Sequence, residues 1–240
     1  MQARITYLDN SGFAVKTERN FLIFDCWNKH PTGGKQGLAG GVIDPEELAD
    51  EHVTVFVSHA HGDHYNPMIF KWAEKIPDIR YVLSDDIRPH PGALAAAPSR
   101  DYSLGGMDIK TFRSTDEGVA FLVDVDGLAV YHAGDLNWWH WEGEDPAWNA
   151  QMARDYKNEI NRMAGSRIDL AFLPVDPRLG GSMLLGIEYF MEHVGAKRAV
   201  PMHYGGAGAK AAHALRASRV LAPFRSRIVM PMERGESILL

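Results

Sequence analysis

Apolar and polar positions in the first sixty residues fall into short runs bounded by turn residues, at 4–8, 13–17, 21–25 and 53–59, and these runs predict strands. Between the third and fourth lies 31–41, with five glycines and no apolar periodicity, which reads as a mobile loop, either functional or only connecting. From Asn66 the spacing becomes helical, with Met68, Ile69, Trp72 and Ile76 on one face and Pro67 suited to the first turn. Strand signals return at 80–83, 109–112, 119–125, 128–132, 170–173, 199–203 and 228–230, and helical segments are expected near 147–164, 182–193 and 209–217. No fixed-period repeat and no Pro- or Ser-rich linker interrupts the chain, so residues 1–240 read as one domain. Two sets of strands with intervening helices predict an α/β fold of two packed sheets with helices outside.

Composition narrows the function classes. At 45% hydrophobic and 23% charged residues, disorder and collagen-like repeats are excluded. The 25 Lys and Arg against 31 Asp and Glu leave a net charge of -6, which exerts no general pull on nucleic acid or anionic lipid. Cys26 is the single cysteine, so no intramolecular disulfide can form, in keeping with a reducing compartment. The N-terminal residues lack a signal-peptide pattern and no apolar run is long enough to span a bilayer, so a cytoplasmic protein with no membrane span is expected. Eleven His are then conspicuous, because imidazole is the commonest metal ligand.

The segment Ser58-His59-Ala60-His61-Gly62-Asp63-His64 follows an apolar strand and precedes the helical pattern. Strand alternation aims His59 and His61 at one face, and Gly62 permits a sharp turn that directs Asp63 and His64 at a neighbouring point. The result is two half-sites for borderline divalent metals such as Zn²⁺. Tyr131-His132-Ala133-Gly134-Asp135 and Pro201-Met202-His203-Tyr204-Gly205-Gly206 also place His or Asp at strand ends, where Asp135 could bridge two cations.

With "SHAHGDH", "YHAGD", "FLPVD" and "VPMHY" in this order, the sequence resembles the metallo-β-lactamase superfamily along essentially its whole length. Its motifs look closest to the branch of metal-dependent hydrolases that includes ascorbate-6-phosphate lactonase and N-acyl phosphatidylethanolamine phospholipase D. The resemblance implies a four-layer αββα sandwich of two mixed β-sheets with a mono- or dinuclear site at one edge. It implies His59 and His61 at a first metal, Asp63 and His64 at a second, Asp135 between them and His203 completing the second. The family's third first-site His is absent from 109–117; Asp116 is one candidate replacement and His132 the other, either as a ligand itself or as a residue directly behind the ligands.

The implied chemistry is hydrolysis by metal-activated water, with Asp63 and Asp135 as catalytic carboxylates and Zn²⁺, Mn²⁺ or Fe²⁺ as cofactor. No G-x-S-x-G element offers a serine nucleophile. The expected substrate is a small-molecule ester, lactone or phosphodiester, with nucleic acid disfavoured by the charge balance. A mononuclear iron oxygenase on the same fold and a noncatalytic metal-stabilised binding protein are the alternatives. Trp138, Trp139 and Trp141 follow Asp135 and either stack on a planar or sugar-like group or form a lid packed on the sandwich or on another subunit of a homo-oligomer. His140 as a general acid, Arg178 and Lys35 as anion contacts, and Asp25 as an orienting partner of a ligating His complete the candidates.

Overall fold

A computed structural model describes residues 3–240. One sheet contains β1 (Arg4–Asp9), β2 (Gly12–Lys16), β3 (Asn20–Phe24), β4 (His52–Val57), β5 (Ile79–Ser84), β6 (Leu94–Ala96) and β13 (Ser237–Leu239), in the order β13-β1-β2-β3-β4-β5-β6. The other contains β7 (Asp101–Leu104), β8 (Met107–Arg113), β9 (Val119–Val125), β10 (Leu128–His132), β11 (Leu170–Pro174) and β12 (Arg198–Met202), in the order β12-β11-β10-β9-β8-β7. Each sheet is mixed. The strands β3 to β6 run parallel, as do β10 to β12, while the remaining pairs are antiparallel.

Period-2 alternation builds the sandwich. Leu22, Phe24 and Phe56 face inward to meet Phe121 and Phe172, with Phe13 stacked on Phe172 at 4.3 Å between ring centres and Phe56 edge-on to Phe121 at 5.3 Å. Phe21, Ile23, Val53 and Val55 face outward and are covered by Ile69, Trp72 and Ile76. On the far side, α1 (Pro146–Asn161) and α2 (Leu185–His193) cover the second sheet, where Tyr131 stacks on Phe190 at 5.3 Å; α3 (Gly208–Ala217) adds Ala211 and Leu215 to the same core. Both faces of the central strands are therefore buried, which is why they read as continuous apolar runs.

Some expectations are corrected. The helical spacing after Asn66 forms a 3-10 helix, Pro67–Glu74, started by Asn66 Oδ1 accepting from Met68 N at 3.0 Å. The run at 228–230 makes one bridge, Ile228 to Ala199, and no strand, whereas short edge strands β6, β7 and β13 occur where alternation is too brief to register. The glycine-rich segment is fastened at its end, because Arg234 donates to the carbonyls of Leu8, His30 and Gly41 at 2.7, 2.8 and 3.0 Å. Among the described residues, no helix is long and apolar enough to cross a membrane.

At one end of the sandwich, Asp126 in the β9–β10 turn ties the sheets together. It accepts from Thr17 Oγ1 at 2.6 Å, Arg19 N at 3.1 Å and Arg19 Nε at 2.9 Å in the β2–β3 connection, and from Asn20 Nδ2 at 3.0 Å at the start of β3. Partial burial opposes its ionisation, but these hydrogen bonds outweigh that and hold the carboxyl below its ordinary range. A folded-state pKa below the unfolded value contributes stability above about pH 4 that fades as the pH falls through the folded value. Asp126→Asn is expected to cost about 1–3 kcal/mol near neutral pH and to flatten the acid limb of stability. Urea unfolding of both proteins across the acid range checks this; parallel acid limbs would remove Asp126 as a tie.

Candidate metal centre

The carboxyl ends of β3, β4, β10, β11 and β12 meet at the other end of the sandwich, where parallel strands leave a crevice outside their termini. After β4, Ser58 is held by Asp25, its amide donating to Oδ1 at 2.8 Å and its hydroxyl to Oδ2 at 2.7 Å. His59 consequently leaves the strand fully buried. The chain then turns tightly, with the amides of His64 and Tyr65 both donating to His61 O at 3.0 and 2.9 Å, so that His64 returns to the buried side while His61 and Asp63 face the solvent.

Two groups of potential ligand atoms result, His59, His61, Asp116 and Asp135 in one and Asp63, His64 and His203 in the other, each within 4.8 Å of one another. In the first, His59 Nε2 lies 3.0 Å from His61 Nδ1 and 3.7 Å from Asp135 Oδ2, and His61 Nδ1 lies 3.8 Å from Asp116 Oδ2. In the second, Asp63 Oδ2 lies 3.7 Å from His64 Nε2 and 3.8 Å from His203 Nε2. Asp135 lies between the groups. Its Oδ1 is 3.3 Å from His64 Nε2 and 3.4 Å from His203 Nε2, while its Oδ2 faces His59.

These residues fit divalent cations. His64 Nε2 and Asp135 Oδ1 are buried without a hydrogen-bond partner, a costly state that a cation between them relieves. The opposite nitrogens are anchored: His64 Nδ1 to Asp25 Oδ2 at 2.8 Å, His59 Nδ1 to Ser58 Oγ at 2.9 Å, and His203 Nδ1 to Asp176 Oδ2 at 3.3 Å. Such partners direct Nε2 at the centre. Backbone strain gathers at the same place, since Asn10, Asp25 and His203 adopt φ of 48°, 44° and 62°. Asn10 O accepts from His203 N at 3.2 Å, and Asn10 Nδ2 donates to Asp63 Oδ2 at 2.9 Å.

Electrostatics favour positive charge there. Burial opposes the ionisation of Asp135, but the His64 and His203 charges outweigh it and keep the carboxylate ionised. Burial likewise pushes His203 down, and Asp135 and Asp176 overcome that to raise it to about 10. Asp176 is held at about 2 because hydrogen bonds from His203 and Arg178 outweigh its burial.

His132 requires a correction. The structure puts its ring inside the sandwich, stacked on Phe24 at 5.0 Å, with Nε2 bonded to Ser11 O at 2.8 Å and Nδ1 accepting from Gly134 N at 3.2 Å. Both nitrogens are engaged by backbone, so neither is free to ligate. Asp116, in the β8–β9 turn, reaches the first group instead, and Glu117 Oε2 lies 3.4 Å from His61 Nε2.

A cleft of about 310 Å³ opens beside the donors, lined by Trp139, Trp141, Trp148, Met152 and Arg178 among others, and a second of about 540 Å³ meets it at Asp63, Arg178 and His203. Trp138 turns away to pack on Tyr156 and Tyr189, with Lys157 Nζ 4.3 Å from its ring centre. His140 borders a separate depression with Trp138 and Glu144, and Lys35 is exposed outside both clefts. Sequence reasoning missed Asp176 and Asn10. Asp176 carried a usable signal, a carboxylate at a strand end as at Asp25; Asn10 carried none.

No family model matches the chain. It is 26% identical over 215 residues to a UPF0173 metal-dependent hydrolase of Korarchaeum cryptofilum, covering 84% of this chain and 82% of that one. It is 28% identical over 198 residues to another from Methanoculleus marisnigri, covering 74% and 79%. Among solved structures, the metallo-β-lactamase fold protein YhfI of Bacillus subtilis superposes with a TM-score of 0.61 at 14% identity, covering 100% of this chain and 99% of that one. Igni18, a metallo hydrolase of Ignicoccus hospitalis, gives 0.64 at 18% over 100% and 99%. The sandwich is therefore the metallo-β-lactamase fold.

Proposed function

We propose that this metal-dependent hydrolase holds one divalent ion among His59, His61, Asp116 and Asp135 and another among Asp63, His64, Asp135 and His203, and cleaves a small-molecule ester, lactone or phosphodiester. The observation that carries the reading is Asp135, with one oxygen toward each donor group and Oδ1 otherwise unpartnered. Imidazole with carboxylate suits Zn²⁺, and the carboxylate standing where the third imidazole is expected also suits Mn²⁺ or Fe²⁺. Ions held there supply Lewis acidity and lower the pKa of water.

The chain's own groups orient and exclude. Asp63 is fixed through Oδ2 by Asn10 and half exposed, so Oδ1 is free to take a proton from water in the cleft. Asp25 and Asp176 hold the His64 and His203 rings in orientation. Arg178, the one Lys or Arg bordering the cleft among the described residues, is paired with Asp176, which suits a small substrate better than a phosphate backbone.

Zn²⁺ titration of metal-free protein, with elemental analysis and turnover of a panel of nitrophenyl esters and phosphodiesters, tests this reading. Both ions are expected in the unaltered chain. Asp116→Asn should weaken one of them, while His132→Gln should keep both and lower only stability. Loss of an ion in His132→Gln with full retention in Asp116→Asn would reverse the assignment, and no metal-dependent turnover across the panel would count against hydrolysis.

A further inference from the structure

The cleft beside the donors has two unlike walls. One is the donor set, and the other is apolar, made by Trp139, Trp141, Trp148 and Met152. Trp139 and Trp141 lie parallel, 6.2 Å between ring centres and 5° apart in plane, and Trp139 Nε1 donates to Asp135 O at 3.0 Å. The stacked pair is thus fixed to the loop that carries Asp135. Trp148 comes from the first turn of α1, positioned by Asp145 Oδ1 accepting from Ala147 N at 2.7 Å, and remains 40% exposed. An indole left that open at the mouth of a cleft is surface available to a ligand.

Thr115 and Arg178, the polar side chains on this side, are engaged with protein groups. Thr115 Oγ1 donates to Asn137 O at 2.6 Å and accepts from Asn137 N at 3.0 Å. The Arg178 guanidinium binds Asp176 through Nε at 2.8 Å and through Nη2, and sits 5.8 Å from the Trp141 ring centre. A sugar stacked on indole needs acceptors as well as donors around its rim, and the groups left on this wall are N–H donors alone, from Arg178 and from the Trp141 and Trp148 indoles. A flat apolar ring needs only the indole faces.

We propose that the cleft selects substrates carrying a planar aromatic group next to the scissile bond, with Trp141 and Trp148 as the specificity-determining residues. This rests on the hydrolase reading, and its test is chosen to fail independently of it. Phenylacetate and cyclohexylacetate carry the same charge and similar bulk but differ in planarity, so calorimetric titration of each into the Zn²⁺-loaded full chain isolates the ring contribution. Phenylacetate is expected to bind about tenfold more tightly. Trp148→Ala, at an exposed position, should erase most of that preference, as should Trp141→Ala, with partial rescue by Trp141→Phe. Equal affinities, no binding of phenylacetate, or an undiminished preference in Trp148→Ala would each overturn the proposal. A preference that stands while no ester is cleaved supports the aromatic site and removes the hydrolase reading alone.

Discussion

Asp135→Asn is expected to lower affinity at both donor groups and to abolish most metal-dependent turnover. The change keeps shape but removes the one charge shared by His59, His64 and His203, and it turns an amide N–H₂ toward one of the two groups. Removing one partner of a buried charged cluster costs about 3–5 kcal/mol, equivalent to a loss of about 10²- to 10⁴-fold in binding. The loss should appear at both ions, because each Asp135 oxygen serves a different group. Elemental analysis after dialysis against a weak chelator, read beside turnover, separates the outcomes. Full metal content with turnover equal to the unaltered chain would take Asp135 out of the centre; loss of one ion only would make it a ligand of one group without a bridging role.

Gly118→Ala is expected to cause the largest loss of stability. Gly118 has φ of 69°, and a Cβ there would lie 2.0 Å from Ser58 O and 2.7 Å from His59 Cβ. The close approach has a purpose. Val119 N donates to Ser58 O at 2.9 Å, and this bond joins the β8–β9 turn that carries Asp116 to the loop that carries His59. Left-handed strain and overpacking together should cost about 2–5 kcal/mol and separate the two halves of the first donor group. Gly92→Ala is the control, since Gly92 shares the positive φ, 81°, but has no atom within 4 Å of the added carbon. Thermal unfolding should show a far larger drop for Gly118→Ala; equal drops would mean that strain alone matters and that the contact with Ser58 does not.

Much of the fold is legible locally. Period-2 runs and turn residues locate most of the central strands, and the His59 to His64 segment reveals its ligand types because alternation and one tight turn are properties of neighbouring residues. The edge strands β6, β7 and β13 are too short to carry a period, and the pairing that defines them comes from distant partners.

The site divides along the same line. Asp116 meets His61 only because β8 and β9 fold against the end of β4, and Trp148 reaches the cleft only because α1 packs over the second sheet. His132 is the clearest case. All five residues of β10 are buried, since one face looks into the sandwich and the other lies beneath the helices, so hydrophobic alternation carries no information about which way a side chain points. The sequence by itself determined most of the central strands and which ligand types end them. Only the packing of the two sheets decided that His132 turns inward to Ser11 and Phe24 while Asp116 turns to the donors, because contacts between elements far apart in the chain leave no periodic trace in either one.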